Sequence, residues 1–373
     1  MKRERLMLKQ YKLKNYKFIL VMLVAVLNTI GVLLVGSASP GDQKKQIIGM
    51  ISGLIIMAIV SCIDYSFILR FSWLIYLFAV AMLVLVMVAG EDSKGAQRWF
   101  KIGGFQFQPS ELVKILIILF FAYYFMKYEE KINTVKVVFG SFILVGIVLA
   151  LILAQPNLST TIITALIFAS MLFIAGLSYK VVVGVLATCV PAFLILMTLI
   201  IQDKVPFIRS YQIGRIMAWL YPEDYPDLAY QQQNSIMAIG SGLLWGKGLG
   251  NDDPTSVKNG KFILEPQNDF IFAVAGEELG FIGTALIIIL LLFITIECIF
   301  IARKAKDAAG RLICCGVAAL IGFQSIVNIS VASGLLPNTG VTLPFVSYGL
   351  TSLWSLYIGI GLVLNVGLQP KKY

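Results

Sequence analysis

Of the 373 residues, 58% are hydrophobic and only 13% charged, and the mean hydropathy is +0.87. A soluble domain carries about 25% charged residues, so a soluble globular fold is excluded. Thirty Lys and Arg against 20 Asp and Glu leave a net charge of +10, which in so apolar a chain reads as a membrane-topology signal and not as a nucleic-acid surface.

A hydrocarbon core about 30 Å thick takes roughly 20 apolar residues per helix. The polar interruptions divide the chain into ten predicted spans, at about 16–36, 46–64, 69–90, 111–127, 136–154, 160–178, 181–202, 270–302, 311–333 and 346–368. Between the sixth and seventh only Ser178, Tyr179 and Lys180 intervene, so a single re-entrant element there would change the count. The amino terminus, MKRERLMLKQYKLKNYK, sets seven basic residues and one Glu directly before the first span. The positive-inside rule puts it in the cytoplasm. Ten spans return Lys371 and Lys372 to the same side, with the basic loops Lys127 to Lys136 and Arg303 to Arg311. The first span is longer than the roughly 7–15 residues of a signal-peptide core and reads as an uncleaved anchor. The expected fold is an all-α polytopic membrane protein of about ten transmembrane helices with both termini cytoplasmic. Residues 1–373 form one integral membrane domain, with a large extracellular loop at about 203–269 between spans 7 and 8. That loop holds apolar stretches such as SIMAIGSGLLWG, which suggest short helices against the bundle. A second outer segment covers 91–110, so function is expected on the outer face.

The chain has no histidine, which removes Ser-His-Asp triads, His-ligated metals and histidine acid–base chemistry. Cys62, Cys189, Cys298, Cys314 and Cys315 lie in apolar runs without CxxC spacing and read as small hydrophobes.

Ionisable residues at membrane depth are functional candidates. In GAQRWFKIGGFQFQPSELVK, Ser110 follows Pro109 as the expected N-cap of the fourth span, and Glu111 and Lys114 share a helix face. Two readings stand: a capped helix with a local ion pair, or a site where Arg98 and Lys114 bind an anionic headgroup and Glu111 holds Lys114. In EPQNDFIFAVAGEELGFIG, Asp269 sits at the outer mouth of the eighth span, as a helix N-cap or as a catalytic carboxylate. Glu277 and Glu278 follow two turns inside, and at least one should face the bundle interior or a wet cavity. The Gly- and Pro-rich SGLLPNTGVTLPFVSYGLTS shapes a pocket wall, where Ser347, Tyr348, Thr351 and Ser352 could donate hydrogen bonds or simply pack helices. QPNLSTT, with Gln155 and Asn157, by itself signals a turn.

These segments together resemble the SEDS family (shape, elongation, division and sporulation; RodA, FtsW and SpoVE), polytopic peptidoglycan glycosyltransferases. GAQRWFKIGGFQFQPSELVK is similar to its G-A-x-R-W…Q-P-S-E-x-x-K segment, QPNLSTT to its Q-P-D-L-G-T turn, and IGSGLLWGKGLG to its Gly-Lys-Gly loop. NDFIFAVAGEELGF resembles its D-F-I-F…E-E-L-G-F helix, and GLLPNTGVTLPFVSYG its carboxyl-terminal motif. The resemblance covers essentially the whole chain with the motif order kept. It implies a catalytic Asp269, substrate-binding roles for Arg98, Glu111 and Lys114, and a match of Lys247 to the loop lysine; Glu277, Glu278 and Ser347 complete the candidate binding set. The chain departs from the pattern at Asn157 (aspartate), Ser159 (glycine), Gln267 (often histidine) and Leu350 (glycine).

The function so implied is polymerisation of lipid II into glycan strands at the outer face of the bacterial cytoplasmic membrane, with Asp269 as general base. Arg98 and Lys114 would offset charge on the leaving undecaprenyl pyrophosphate, with Lys247 a weaker candidate. The resemblance also implies a class B penicillin-binding protein transpeptidase as partner. A divalent cation, Mg or Mn, could assist, but no ligand spacing demands one. Two other readings fit the composition, a lipid II flippase or other transporter and a noncatalytic scaffold for a transpeptidase. A transporter would show an inverted repeat with broken helices in both halves, and no matching pair of motifs is present.

Overall fold

The computed structural model describes residues 15–93, 96–102, 105–184, 210–251, 254–256, 258–260 and 262–369, together with 187, 191 and 198. Among them, eight helices are long and apolar enough to cross a membrane. These are α1 (Phe18–Ala38), α2 (Pro40–Cys62), α4 (Ser72–Ala89), α5 (Pro109–Lys127), α6 (Val135–Ala154), α10 (Ile271–Arg303), α11 (Ala308–Ala332) and α12 (Leu350–Leu368). A short helix α3 (Tyr65–Leu69) links α2 to α4. The predicted span 160–178 is the shorter apolar helix α7, Leu158–Ile174. The span predicted at 181–202 is helical over 179–184 and then falls largely outside the described residues, as do the amino-terminal basic segment before Asn15, Cys189, Lys371 and Lys372. The large loop contributes α8 (Ser210–Leu220) and α9 (Pro226–Ser241), the short helices its apolar stretches predict.

The segment before α5 is not irregular. It forms a three-stranded antiparallel sheet, β1 (Glu91–Ser93), β2 (Ala96–Ile102) and β3 (Phe105–Phe107), with Trp99 opposite Glu91 and Phe100 opposite Phe107. Thr351 ties it to the bundle, its hydroxyl donating to Gln106 O at 3.2 Å and accepting from Gln108 N–H at 3.3 Å.

Burial orders the helices into a centre and a periphery. Within their spanning windows α5 and α12 are 78% buried, whereas α2, α4 and α6 are 28% buried. The outer helices turn Ile, Leu and Phe side chains outward, as lipid contact allows. Of the two central helices, α5 carries the buried pair Glu111 and Lys114. Cys298 and Cys314 are buried as expected, while Cys62 is exposed at the end of α2.

The connections sort into two ends. At one, Lys17 lies 3.7 Å from Glu297, Arg311 3.8 Å from Glu129, and the Tyr65 hydroxyl donates to Asp307 at 2.9 Å. The basic loops assigned to one side by charge therefore meet at one end of the bundle. Gathered at the opposite end are the strands, the 155–157 turn, the large loop and the irregular segment 333–349.

Helix α10 has 33 residues, about 50 Å at 1.5 Å per residue and well beyond a 30 Å core. It is not continuous. Gly280 takes φ 66° and ψ −164°, a conformation open essentially to glycine alone. The loop after α9 docks into this break: Lys247 and Gly248 N–H donate to the Glu277 and Glu278 carbonyls, and Phe281 and Ile282 N–H donate to Leu243 and Leu244 O. The freed backbone groups of the broken helix are satisfied by one loop.

Candidate active site

Two side-chain amides one turn apart on α11 organise the site. The Gln324 carbonyl oxygen accepts from Lys114 Nζ at 2.8 Å, while its Nε2 donates to Thr342 O at 3.0 Å and Oγ1 at 3.1 Å. Asn328 Nδ2 donates to the backbone oxygens of Asp269, at 2.7 Å, and Val341, at 2.6 Å. One helix face thus grips adjacent residues of the 333–349 segment, and through them joins the start of α5 to the start of α10.

Lys114 is 2% exposed and lies 2.9 Å from Glu111 Oε1. The ion pair predicted from spacing forms, but it is buried at the centre of the bundle and not displayed at its rim. A buried ammonium is tolerated where its donors are occupied, and here a carboxylate and an amide supply acceptors. Ser110 does not cap the helix. The cap position is Gln108, Pro109 starts the helix, and Ser110 Oγ is buried without a partner. The proline at N1 moves the start back by two residues.

Asp269 lies in the turn before α10, partly buried. The N-cap position is Phe270, so Asp269 is not the helix cap. A Cβ built on Gly340 would stand 3.6 Å from Asp269 Oδ2, which puts the carboxylate against the 333–349 turn. Asp269 and the Glu111–Lys114 pair therefore border the same irregular segment, fixed to it through neighbouring residues of α11.

The remaining predicted residues stand apart from this pair. Lys247 Nζ lies 2.8 Å from Glu277 Oε1, and Lys258 Nζ 2.8 Å from Glu278 Oε1. Ser37 Oγ joins the second pair, donating to Glu278 at 2.5 Å and accepting from Lys258 at 2.8 Å. Both carboxylates, 3% exposed, are neutralised by loop lysines at the α10 break. They pin the large loop. Arg98, on the central strand β2, donates from Nε to Gln155 O at 2.6 Å and from Nη2 to Pro156 O, so its guanidinium braces the α6–α7 turn. Ser347 Oγ accepts from Leu343 N–H at 2.7 Å and closes the 343–347 turn. Asn157 caps α7 by accepting from Thr160 N–H, a task that Asn and Asp perform alike. Ser159 Oγ donates to Thr339 O.

Sequence reasoning missed Gln324, Asn328, Thr342 and Lys258. The first two carried a legible signal, since they are amides four residues apart in an otherwise apolar helix, where polar groups need partners. Lys258 carried none, because its partner is set only by how the loop closes. Among the described residues, no group of three or more Cys, Asp or Glu side chains gathers closely enough to hold a metal ion.

Residues 8–372 match the family model described as cell cycle protein, FtsW/RodA/SpoVE. The chain belongs to the FtsW/RodA/SpoVE family. It is 33% identical to the "Probable peptidoglycan glycosyltransferase FtsW" of Geobacter sp. (strain M18), over 96% of this chain and 99% of that protein. Against the protein of the same name from Bacillus subtilis (strain 168) the identity is 32%, over 96% and 92% of the two chains. Among solved structures, a chain from "Structural coordination of polymerization and crosslinking by a peptidoglycan synthase complex" superposes with a TM-score of 0.78 at 28% identity, covering 94% of this chain and 97% of that one. RodA of Thermus thermophilus superposes with a TM-score of 0.68 at 27% identity, covering 94% and 96%. The fold seen here is that of the family over nearly its whole length.

Proposed function

We propose that this chain is a membrane peptidoglycan glycosyltransferase that polymerises lipid II, with Asp269 as general base. The observation that carries the reading is the joining of Asp269 and Lys114 by Asn328 and Gln324 to adjacent residues of one segment. A carboxylate outside the cap position and a buried lysine then flank one wall, as displacement at a sugar carbon bearing a pyrophosphate requires. Asp269 takes the proton of the acceptor sugar's 4-hydroxyl, whose oxygen attacks the anomeric carbon of the donor. The C–O bond to undecaprenyl pyrophosphate breaks with its electron pair, and Lys114 offsets the charge that develops. Glu111 and Gln324 hold the ammonium in position. Lys247, Glu277 and Glu278 support the site by fixing the large loop, and Arg98 and Ser347 by fixing its turns. The names of the relatives, and the pairing of polymerisation with crosslinking in the solved complex, support this activity and a transpeptidase partner of the class B penicillin-binding type. The charge pattern supports a site facing outward from the bacterial cytoplasmic membrane.

The test is polymerisation of outer-leaflet lipid II by the purified chain with its transpeptidase. Asp269→Asn is expected to make no glycan while binding lipid II normally, a loss of at least about 100-fold, the lower end for removing a general base. Retained polymerisation by Asp269→Asn overturns the base assignment. A wild-type preparation that moves lipid II across vesicles and makes no strands would establish the flippase reading instead.

A further inference from the structure

At the end of the bundle that the charge pattern assigns to the cytoplasm, a cavity of about 350 Å³ opens where the ends of α1, α10 and α12 meet. Its room comes from Gly367 of α12. A Cβ built there would stand 3.6 Å from both Ile301 Cγ2 and Lys17 Cγ, so the absent side chain leaves space between the three helix ends. Lys17, at the start of α1, and Lys304, just past the end of α10, line the cavity. Among the described residues no carboxylate does. Glu297, outside the lining, lies 3.7 Å from Lys17 Nζ with both side chains partly exposed, a pairing that offsets this ammonium only in part.

The cavity also has an apolar side. Phe18 and Ile19, which line it, are 66% and 64% exposed, and Met22 and Val26 continue the same exposed face of α1 one and two turns further on. That strip belongs to a membrane-spanning helix and faces acyl chains. The Tyr16 and Phe18 rings pack with centroids 4.9 Å apart beside Lys17, the placement of aromatic side chains at a membrane–water boundary. Two ammonium groups at the boundary, opening onto an apolar lane that runs into the bilayer, match the two parts of a phospholipid. We propose that this cavity binds an anionic phospholipid of the inner leaflet, its phosphate held between Lys17 and Lys304 and an acyl chain lying along Phe18, Met22 and Val26. A free phosphate would meet the same lysines but leave the apolar strip unused. The site lies at the opposite end of the bundle from Asp269 and does not depend on which residue is the base.

The experiment is native mass spectrometry of the purified full chain in neutral detergent, titrated with phosphatidylglycerol or with phosphatidylcholine of the same acyl composition. A lysine near an anionic surface contributes about a fivefold factor in affinity, and two about thirtyfold. With Lys17 partly offset by Glu297, one phosphatidylglycerol is expected to bind about tenfold more tightly than phosphatidylcholine. Lys17→Gln/Lys304→Gln is expected to lose this preference, and Gly367→Val, which keeps every charge but fills the space, to lose it too. Lys136→Gln, in a basic loop at the same end, is expected to keep it. Lys304→Gln alone changes an exposed side chain, so it should unfold at the parent's temperature while lowering the preference about fivefold. Equal affinity of the parent for the two lipids would overturn the proposal. So would a preference that survives in the double variant or in a folded Gly367→Val, or that disappears in Lys136→Gln, since the attraction would then belong to the basic surface at large. Displacement of the lipid by millimolar inorganic phosphate would mark a site for soluble anions and overturn the lipid assignment.

Discussion

Replacing Lys114 by methionine separates what the buried ion pair does for the fold from what it does for the reaction. The lysine and Glu111 side chains are 3% and 11% exposed, and the charged atoms are 2.9 Å apart, so little solvent screening weakens them. At an effective dielectric of about 20, the Coulomb attraction at that distance is about 6 kcal/mol. Desolvation offsets most of this in the intact pair, but removing one partner leaves the other charge buried and uncompensated, at a cost of about 3–5 kcal/mol. Gln324 Oε1 also loses its donor, about 1 kcal/mol more. Lys114→Met is therefore expected to lose about 4–6 kcal/mol, read by reversible SDS unfolding in mixed micelles. Glu111→Gln/Lys114→Met removes the orphaned charge and should recover most of the loss. On the proposed function it should still make no glycan, since it lacks the cation assigned to the leaving group. A Lys114→Met variant destabilised by less than about 1 kcal/mol, or a double variant that adds the two single losses, would refute the argument for a buried pair. A polymerising double variant would refute the role of Lys114 in the reaction.

Gly280→Ala places a Cβ 2.3 Å from Gly246 N and 2.7 Å from Leu244 O at a φ of 66°, so the docked loop must detach. The expected outcome is protease cleavage within 243–248 under conditions where the parent resists, with a strain cost of about 1–3 kcal/mol. At the start of α7, Asn157→Asp keeps the capping oxygen and should shift stability by less than about 0.5 kcal/mol, whereas Asn157→Ala should lose about 1 kcal/mol; thermal unfolding of the two variants compares them. Partial burial and the neighbouring Asp42 push the Tyr348 phenol up from its usual value near 10 to about 12 in the folded chain. The folded chain then holds the proton longer, so this contribution is complete below pH 10 and is lost as pH rises from 10 towards 12. Tyr348→Phe should show a shallower fall in stability over that window than the parent; identical slopes would count against the raised phenol.

Much of the architecture was legible because membrane helices announce themselves locally. Runs of apolar residues near 20 long marked the eight spanning helices, and the clustered Lys and Arg sorted their connections into the groups that the fold brings together. Legibility failed where tertiary context decided an end or a break. Pro109 rather than Ser110 begins α5, Phe270 rather than Asp269 caps α10, and a three-stranded sheet occupies a segment that reads as a loop. Glycine 280 offered no clue to a break inside an apolar run, because that break is stable only with the 243–248 loop docked into it.

The candidate site residues came from pattern and resemblance, and the fold divides their contacts. Sequence alone determined that the protein is a membrane bundle, that histidine chemistry is absent, and that Asp269, Glu111 and Lys114 are candidates, since these follow from composition and from spacings within a helix turn. Only the tertiary structure decided that Lys114 answers to Gln324, 210 residues away, that Glu277 and Glu278 are engaged by loop lysines, and that Arg98 braces a turn. Hydropathy acts residue by residue along the chain. Ion pairs and hydrogen bonds inside a low-dielectric bundle depend on which distant groups arrive to meet a buried charge, and that is settled when the helices pack.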